Sequence, residues 1–189
     1  MLKLGIIGTG AISHHFIEAA HTSQEFQLVA VYSRKLTTAQ QFASSYTDVS
    51  LFDNLEDFFQ SDFDIVYIAS PNSLHYTQAK LALASAKHVI LEKPAVTQPQ
   101  EWKELIQIAQ ENHRFIFEAA RNYHEDAFAT IKDFLADKQI LGADFNYAKY
   151  SSKMPALLSS HKDKVHVSSC SLVLIKQIDF LPRLNIVIF

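Results

Sequence analysis

The 189-residue sequence predicts an α/β protein with a doubly wound parallel sheet. Three observations point to this class: short apolar runs alternate with segments of helical periodicity, a turn with two glycines follows the first run, and polar residues follow later runs. Most of the runs are continuously apolar, which is typical of strands that helices cover on both faces. Alternation of such strands with helices favours a parallel sheet.

The first strand and the turn after it are the most informative stretch. Leu2–Ile7 is a short apolar run, and Gly8 and Gly10 begin where it ends. Gly8 allows a tight turn, and Gly10 lacks the Cβ that would keep a pyrophosphate from the main chain. Ala11–Ala20 has helical periodicity, so free N–H groups and the positive end of the helix dipole would point at the phosphates.

The glycine pattern matches the dinucleotide fingerprint G-x-G-x-x-G/A except at Ser13, which replaces the third small residue. An ordinary turn between a strand and a helix is the alternative interpretation. The strand before the turn, the helix after it and the continuing βαβ pattern favour nucleotide binding.

The same periodicity predicts the remaining elements in order. Further strands are expected at Phe26–Tyr32, Ser50–Phe52, Asp64–Ala69, His88–Leu91 and Arg114–Glu118. Helices are expected at Leu36–Tyr46, Leu55–Gln60, from Asn72 or Ser73 to Leu83, at Gln98–Asn112, and from Glu125 to about Ala136. Gly142–Tyr150 has rough period-2 alternation and predicts the first strand of a second, antiparallel sheet.

The end of the second strand predicts the cofactor. An acidic residue there would bind the ribose 2′-hydroxyl of NAD, whereas an arginine can pair with the 2′-phosphate of NADP. The sequence has Ser33, Arg34 and Lys35 and no acid, which favours NADP over NAD. The alternative is that Arg34 and Lys35 are the solvated start of a helix.

Polar residues also follow the fourth strand, which Pro71 ends. Because ligands of open α/β sheets bind at the carboxyl ends of strands, we expect Ser70, Pro71, Asn72 and His75 to face cofactor or substrate. Asn72 or Ser73 is also expected to cap the following helix. For His75 alone, a surface position is the alternative.

The fifth strand ends in Glu92-Lys93-Pro94. A lysine at the mouth of the site can donate to a substrate oxygen as hydride is transferred, and partial desolvation can lower its pKa. A solvated Glu-Lys pair before a loop proline is the alternative.

Composition narrows the class of partners. The net charge is −3 with scattered Lys and Arg, which indicates neither nucleic acid nor an anionic membrane as partner. Cys170 is the sole cysteine, so no intrachain disulfide can form and a reducing compartment fits. With no signal peptide, membrane span or metal site indicated, we expect a soluble cytoplasmic protein.

Five stretches taken in order resemble the Gfo/Idh/MocA family of NAD(P)-dependent oxidoreductases: GIIGTGAIS, VYSRK, ASPNSLH, LEKP and FEAARNYHEDAF. The resemblance runs from Leu2 to about Tyr150, and E-K-P is its most specific part. It implies an N-terminal Rossmann domain and an α/β domain whose antiparallel sheet covers the substrate and forms homo-oligomers. It also implies hydride exchange between a nicotinamide and a hydroxyl-bearing carbon of a sugar, polyol or diol.

The resemblance also implies site residues. Lys93 matches the catalytic lysine of E-K-P, which contacts the reacting oxygen and the nicotinamide ribose. Arg121 and Asn122 fall near the family's domain junction, and Arg121 is counted as cofactor-binding. The other implied cofactor contacts are Gly8, Thr9, Gly10, Ala11, Ile12, Ser33, Arg34, Ser70, Pro71, Asn72, His75, Glu92 and Lys93 itself.

The second half departs from the family. We expect residues 1–120 to form the Rossmann domain and residues 121–189 to be only the incomplete start of the second domain, atypical from about residue 160. Its D-x-G-x-[H/Y] motif, which supplies the partner acid/base, is absent: the sequence has 4 glycines, of which only Gly142 follows Gly10.

The tail after Ser160 contains two apolar runs, Leu172–Ile175 and Ile186–Phe189, without a glycine turn. A truncated or frame-shifted product is expected, with a short natural variant as the alternative. His161 and His166 are better explained as edge-strand or disordered residues than as a replacement acid/base. A dinucleotide-binding module with little or no turnover is therefore the second functional hypothesis, and an interaction protein that dimerises through its tail is the third.

Overall fold

The computed structural model describes residues 1–139, 143–147 and 170–174. The chain forms two compact units, Met1–His124 and a second that begins at Glu125. Among the described residues, every helix is too short or too polar to cross a bilayer. The functional domain limits 1–120 and 121–189 stay predictions.

The first unit contains the doubly wound parallel sheet that the sequence predicts. The strands are β1 (Leu2–Ile7), β2 (Phe26–Tyr32), β3 (Ser50–Phe52), β4 (Ile65–Ile68), β5 (His88–Leu91) and β6 (Ile116–Glu118). Their order, β3-β2-β1-β4-β5-β6, changes direction between β1 and β4. Ligands of such sheets bind beyond the carboxyl ends of the strands at this switch point.

Five helices connect these strands: α1 (Ala11–Ser23), α2 (Leu36–Ala43), α3 (Leu55–Gln60), α4 (Asn72–Ala84) and α5 (Pro99–Glu111). Strand β6 begins two residues later than Arg114, because the main-chain N–H groups of Arg114 and Phe115 donate to the carbonyl of Ala109 and to Nδ1 of His88 rather than to the neighbouring strand. Helix α2 ends three residues before Tyr46, whose hydroxyl bonds Nδ1 of His14.

The core lies on both faces of the sheet. Leu4 and Ile6 of β1 share one cluster with Ile17 of α1 and Phe42 of α2. On the opposite face, helices α3, α4 and α5 contribute Phe58, Ala79, Leu83 and Leu105. Because apolar side chains cover both faces, the carboxyl edge of the sheet is left to carry polar chemistry.

After β6 the chain forms a 3₁₀ turn at Arg121–His124. The second unit contains α6 (Asp126–Leu135) and the antiparallel strands β7 (Ala143–Tyr147) and β8 (Cys170–Leu174). Strand β7 lies within Gly142–Tyr150, where the sequence predicts the first strand of an antiparallel sheet. The expectations for Ser160 to Ser169, which include His161 and His166, and for Ile186–Phe189 lie outside the described residues.

Candidate functional site

Gly8 connects the end of β1 to the turn before α1. Its φ of +107° lies in the left-handed region that favours glycine. A Cβ added there would lie 2.5 Å from the carbonyl oxygen of Ala69, at the end of β4. Gly8 therefore lets the turn pass directly against the neighbouring strand.

Gly10 has a different environment from Gly8. It is the N-cap of α1 with an extended backbone that any residue can adopt, and an added Cβ would meet no atom of the described part of the chain within 4 Å. The N–H of Ser13 donates to the carbonyl of Gly10 at 3.0 Å, whereas those of Ala11 and Ile12 have no partner within the helix, and its first turn carries no acidic residue. This open space before a helix N-terminus fits the phosphates of a dinucleotide.

Ser13, the substitution in the fingerprint, is fully buried in the first turn of α1. Its Oγ has no hydrogen-bond partner among the described residues. The position thus serves close packing between helix and sheet, as the fingerprint predicts for its third small residue.

A cavity of about 180 Å³ opens between the ends of β1, β2 and β4. Arg34 is the one charged side chain among its lining residues, so the lining attracts an anionic ligand. Six of the predicted contacts are brought together here. The lining residues are Ile7, Gly8, Thr9, Tyr32, Ser33, Arg34, Ala69, Ser70, Pro71, Leu74 and Gln78.

Gln78 is a lining residue that the sequence interpretation missed. It is buried on α4, and its Oε1 accepts a 2.6 Å hydrogen bond from the Oγ of Ser70. Its spacing of three residues from His75 places both side chains on one face of the helix, which is the only sequence signal for it.

Both carboxylate oxygens of Glu92 accept hydrogen bonds from within the protein. Its Oε1 accepts a 2.7 Å bond from the hydroxyl of Tyr67, and its Oε2 accepts a 3.0 Å bond from the main-chain N–H of Lys93. Burial above all, and then the bond to Glu92, raises the pKa of Tyr67 well above its ordinary value. The alternative of a solvated Glu-Lys pair is therefore wrong for Glu92.

Lys93 follows β5 in an exposed position, joined to Pro94 by a cis peptide bond. Among the described residues its ammonium forms no ion pair. Just beyond Pro94, the N–H of Ala95 donates to the Oε1 of Glu118 at 2.9 Å. The chain is thus held on both sides of Lys93, while the ammonium stays available to a ligand.

His75 is 1% exposed, so the surface alternative for it is wrong. Its Nδ1 lies 3.0 Å from the carbonyl oxygen of Pro94, and its Nε2 lies 2.9 Å from that of Ser70. The ring therefore connects the segment after β4 with the segment after β5.

The predicted cap of α4 is also wrong. The helix begins at Asn72 with Pro71 as N-cap, and no side chain caps it. The carbonyl of Pro71 instead accepts the N–H of Leu74 at 2.8 Å, and the side chains of Asn72 and Ser73 are exposed.

The remaining predicted contacts lie outside the cavity. Ala11 and Ile12 are exposed in the first turn of α1, and Arg121 is exposed in the 3₁₀ turn after β6. Asn72 and Glu92-Lys93 follow the carboxyl ends of β4 and β5, at the same edge of the sheet as the cavity. Within the described part of the chain, no cluster of His, Cys, Asp and Glu could hold a metal ion.

The chain is similar to a known protein family over its first unit and to full-length oxidoreductases over a longer stretch. The model of the Gfo/Idh/MocA oxidoreductase family, NAD-binding Rossmann fold, matches residues 2–120. The uncharacterized oxidoreductase YgjR of Escherichia coli (strain K12) is 41% identical over 155 residues, 81% of this chain and 47% of the relative. The scyllo-inositol 2-dehydrogenase (NADP(+)) IolU of Bacillus subtilis (strain 168) is 37% identical over 161 residues, 84% of this chain and 49% of the relative. The chain spans about half the length of these relatives.

Solved structures share the fold. The WlbA dehydrogenase of Bordetella pertussis, in complex with NADH and UDP-GlcNAcA, is 25% identical with a TM-score of 0.67 over 71% of this chain and 39% of that one. The 3-ketoreductase KijD10 of Actinomadura kijaniata, in complex with NADP and TDP-benzene, is 24% identical with a TM-score of 0.67 over 72% and 42%. The glycine turn, the parallel sheet and the family match over residues 2–120 lead to one conclusion: the chain belongs to the Gfo/Idh/MocA family of oxidoreductases with an NAD(P)-binding Rossmann fold.

Proposed function

We propose that this chain binds NADP in preference to NAD and takes part in hydride transfer between the nicotinamide and a hydroxyl-bearing carbon of a sugar, polyol or diol. The observation that carries the proposal is the open space before α1 at Gly10, beside a cavity whose one charged lining residue is Arg34. Free N–H groups and a guanidinium suit a phosphorylated ligand.

The preference for NADP rests on the end of β2. Arg34 is exposed at the cavity, and the stretch Ser33 to Lys35 carries no acidic side chain that would select a free 2′-hydroxyl. A guanidinium can make two parallel hydrogen bonds to the ribose 2′-phosphate. The relative IolU is named for NADP(+), which supports the same preference.

Lys93 is proposed as the catalytic residue. When bound, the nicotinamide supplies or accepts the hydride. The Lys93 ammonium donates a hydrogen bond to the substrate oxygen, and it gives up a proton as a carbonyl is reduced to a hydroxyl. The bonds of Glu92 and Glu118 to the neighbouring main chain hold this loop in place.

The substrate class rests on family membership and on the relatives. The name of IolU specifies a polyol, scyllo-inositol, as its substrate. Association into homo-oligomers stays a prediction from the family resemblance.

A second candidate function is dinucleotide binding with little or no turnover. The observation that favours it is that the sequence lacks D-x-G-x-[H/Y], the family motif that would supply a partner to Lys93.

Fluorescence titration with NADPH and NADH, followed by turnover assays with polyols and diols plus NADP, tests both candidates. Saturable NADPH binding with reduction of NADP by at least one polyol or diol supports the oxidoreductase. Binding without turnover across the panel favours the binding module. Failure to bind either dinucleotide contradicts both.

A further inference from the structure

The imidazole of His75 joins two loops that contribute different parts of the proposed site. One loop, at Ser70, lines the cavity, and the other contains Lys93. Both acceptors are main-chain carbonyl oxygens, which can only accept, so the two hydrogen bonds exist together only when both ring nitrogens carry a hydrogen. The ring is buried, so its two nitrogens have these carbonyls rather than bulk water as partners.

The two loops have different additional supports. Ser70 is held by Gln78 through its hydroxyl. The loop at Lys93 is held before it by Glu92 and after it by Glu118, which binds Ala95. The bond from Nδ1 of His75 to Pro94 acts on the residue directly after Lys93.

We propose that His75 is a positioning residue, an inference that rests on the proposed function. Nε2 holds the cofactor loop through Ser70, and Nδ1 holds the lysine loop through Pro94, so the ring sets the position of Lys93 relative to the bound dinucleotide. His75 acts through main-chain atoms and donates no hydrogen bond to the cofactor.

Substitution of His75 by asparagine or by glutamine removes one of its two hydrogen bonds and keeps the other. The amide nitrogen of asparagine can occupy the place of Nδ1, and that of glutamine the place of Nε2. His75→Asn therefore keeps the bond to Pro94 and loses that to Ser70, whereas His75→Gln does the opposite. His75→Leu removes both bonds.

The test measures the affinity of each variant for two ligands, NADPH and 2′-phospho-ADP-ribose, of which the second lacks the nicotinamide. For His75→Gln, we expect the affinity for 2′-phospho-ADP-ribose to stay within about twofold and that for NADPH to fall about fivefold, the effect of one lost hydrogen bond. For His75→Asn, we expect both affinities to fall by a similar factor of about five. His75→Leu should combine both losses.

If the asparagine and glutamine variants lower the affinities for NADPH and 2′-phospho-ADP-ribose by the same factors, the positioning role is overturned. A purely structural histidine would give no difference between the two variants. If the wild type binds neither ligand, the proposed function is overturned, and this inference with it. If a variant does not fold, NMR of the unaltered chain decides: both ring nitrogens of His75 should carry hydrogens that exchange slowly with solvent, and a hydrogen on only one of them contradicts the proposal.

Discussion

At the scale of single residues, two neighbouring cations at the end of β2 have different positions. Arg34 lines the cavity, whereas Lys35 is the N-cap of α2 and lies outside the lining. The same change of charge at these two positions should therefore have different effects on a phosphorylated ligand.

Arg34→Asp should weaken NADPH binding at least tenfold and change NADH binding little, because it replaces a phosphate-binding cation with a group that suits a ribose 2′-hydroxyl. Lys35→Asp is the matched control and should change the NADPH to NADH affinity ratio less than threefold. Fluorescence titration of both dinucleotides measures the ratio. An unchanged ratio in Arg34→Asp would place the 2′-phosphate elsewhere.

Lys93→Met should lower turnover about 10²-fold or more with any substrate found in the panel, because the donor to the reacting oxygen is lost. NADPH affinity should stay within a few-fold. Lys103→Met, at an exposed position on α5, is the control and should leave turnover unchanged. Initial rates and NADPH titrations give both quantities. Equal turnover in Lys93→Met and the wild type would remove Lys93 from the mechanism.

His88 at the start of β5 provides a pH test of stability. Burial above all, together with the charge of Arg114, lowers the pKa of His88 below its ordinary 6.5, and its Nδ1 accepts the N–H of Phe115. The unfolded chain therefore binds the proton more readily than the folded protein. The stability that the neutral His88 contributes is complete above about pH 6.5 and is lost as the pH falls toward the lower folded pKa.

Urea unfolding between pH 5 and 8 measures this contribution. The stability difference between wild type and His88→Asn, which retains an acceptor for Phe115 but cannot titrate, should narrow as the pH falls below 6.5. A difference independent of pH would contradict the assignment.

At the scale of elements, several bounds follow directly from the sequence. Strands β2, β3 and β5 and helix α3 have the predicted limits, because polar or turn-forming residues bound each of these short segments. Helix ends were harder to predict. Gln24, Ala86 and His113 adopt positive φ at or just beyond the ends of α1, α4 and α5, so the usual glycine signal is missing.

Helix α4 ends in a Schellman motif, with N–H bonds from Ala86 to Leu83 and from Lys87 to Ala82. Ala86 has a φ of 57°, which costs a residue with a Cβ about 1 kcal/mol. Ala86→Gly should therefore stabilise the protein by about 0.5 to 1 kcal/mol. Ala84→Gly, at the last residue of the helix, is the control and should destabilise the protein. Thermal or urea unfolding measures both changes in stability. Destabilisation by Ala86→Gly would contradict the conclusion that the backbone of Ala86 is strained.

At the scale of the whole molecule, parallel topology places the ends of β1, β2, β4 and β5 at one edge of the sheet. The sequence could predict the glycines, Arg34 and Lys93 there, because each stands in a local pattern next to a strand. It could not predict the supports from Tyr67 and Glu118, because these contact residues 25 and 23 positions away and depend on packing.

The binding of NADPH to Gly10→Ala tests the dinucleotide site most directly. The added Cβ meets no atom of the described residues within 4 Å, so the free energy of unfolding should change by no more than about 1 kcal/mol. In contrast, Gly8→Ala would bring a Cβ against Ala69 and is a control for damage to the fold. Folded Gly10→Ala should bind NADPH at least tenfold more weakly than the wild type, whereas wild-type affinity in this variant would contradict phosphate binding at the turn.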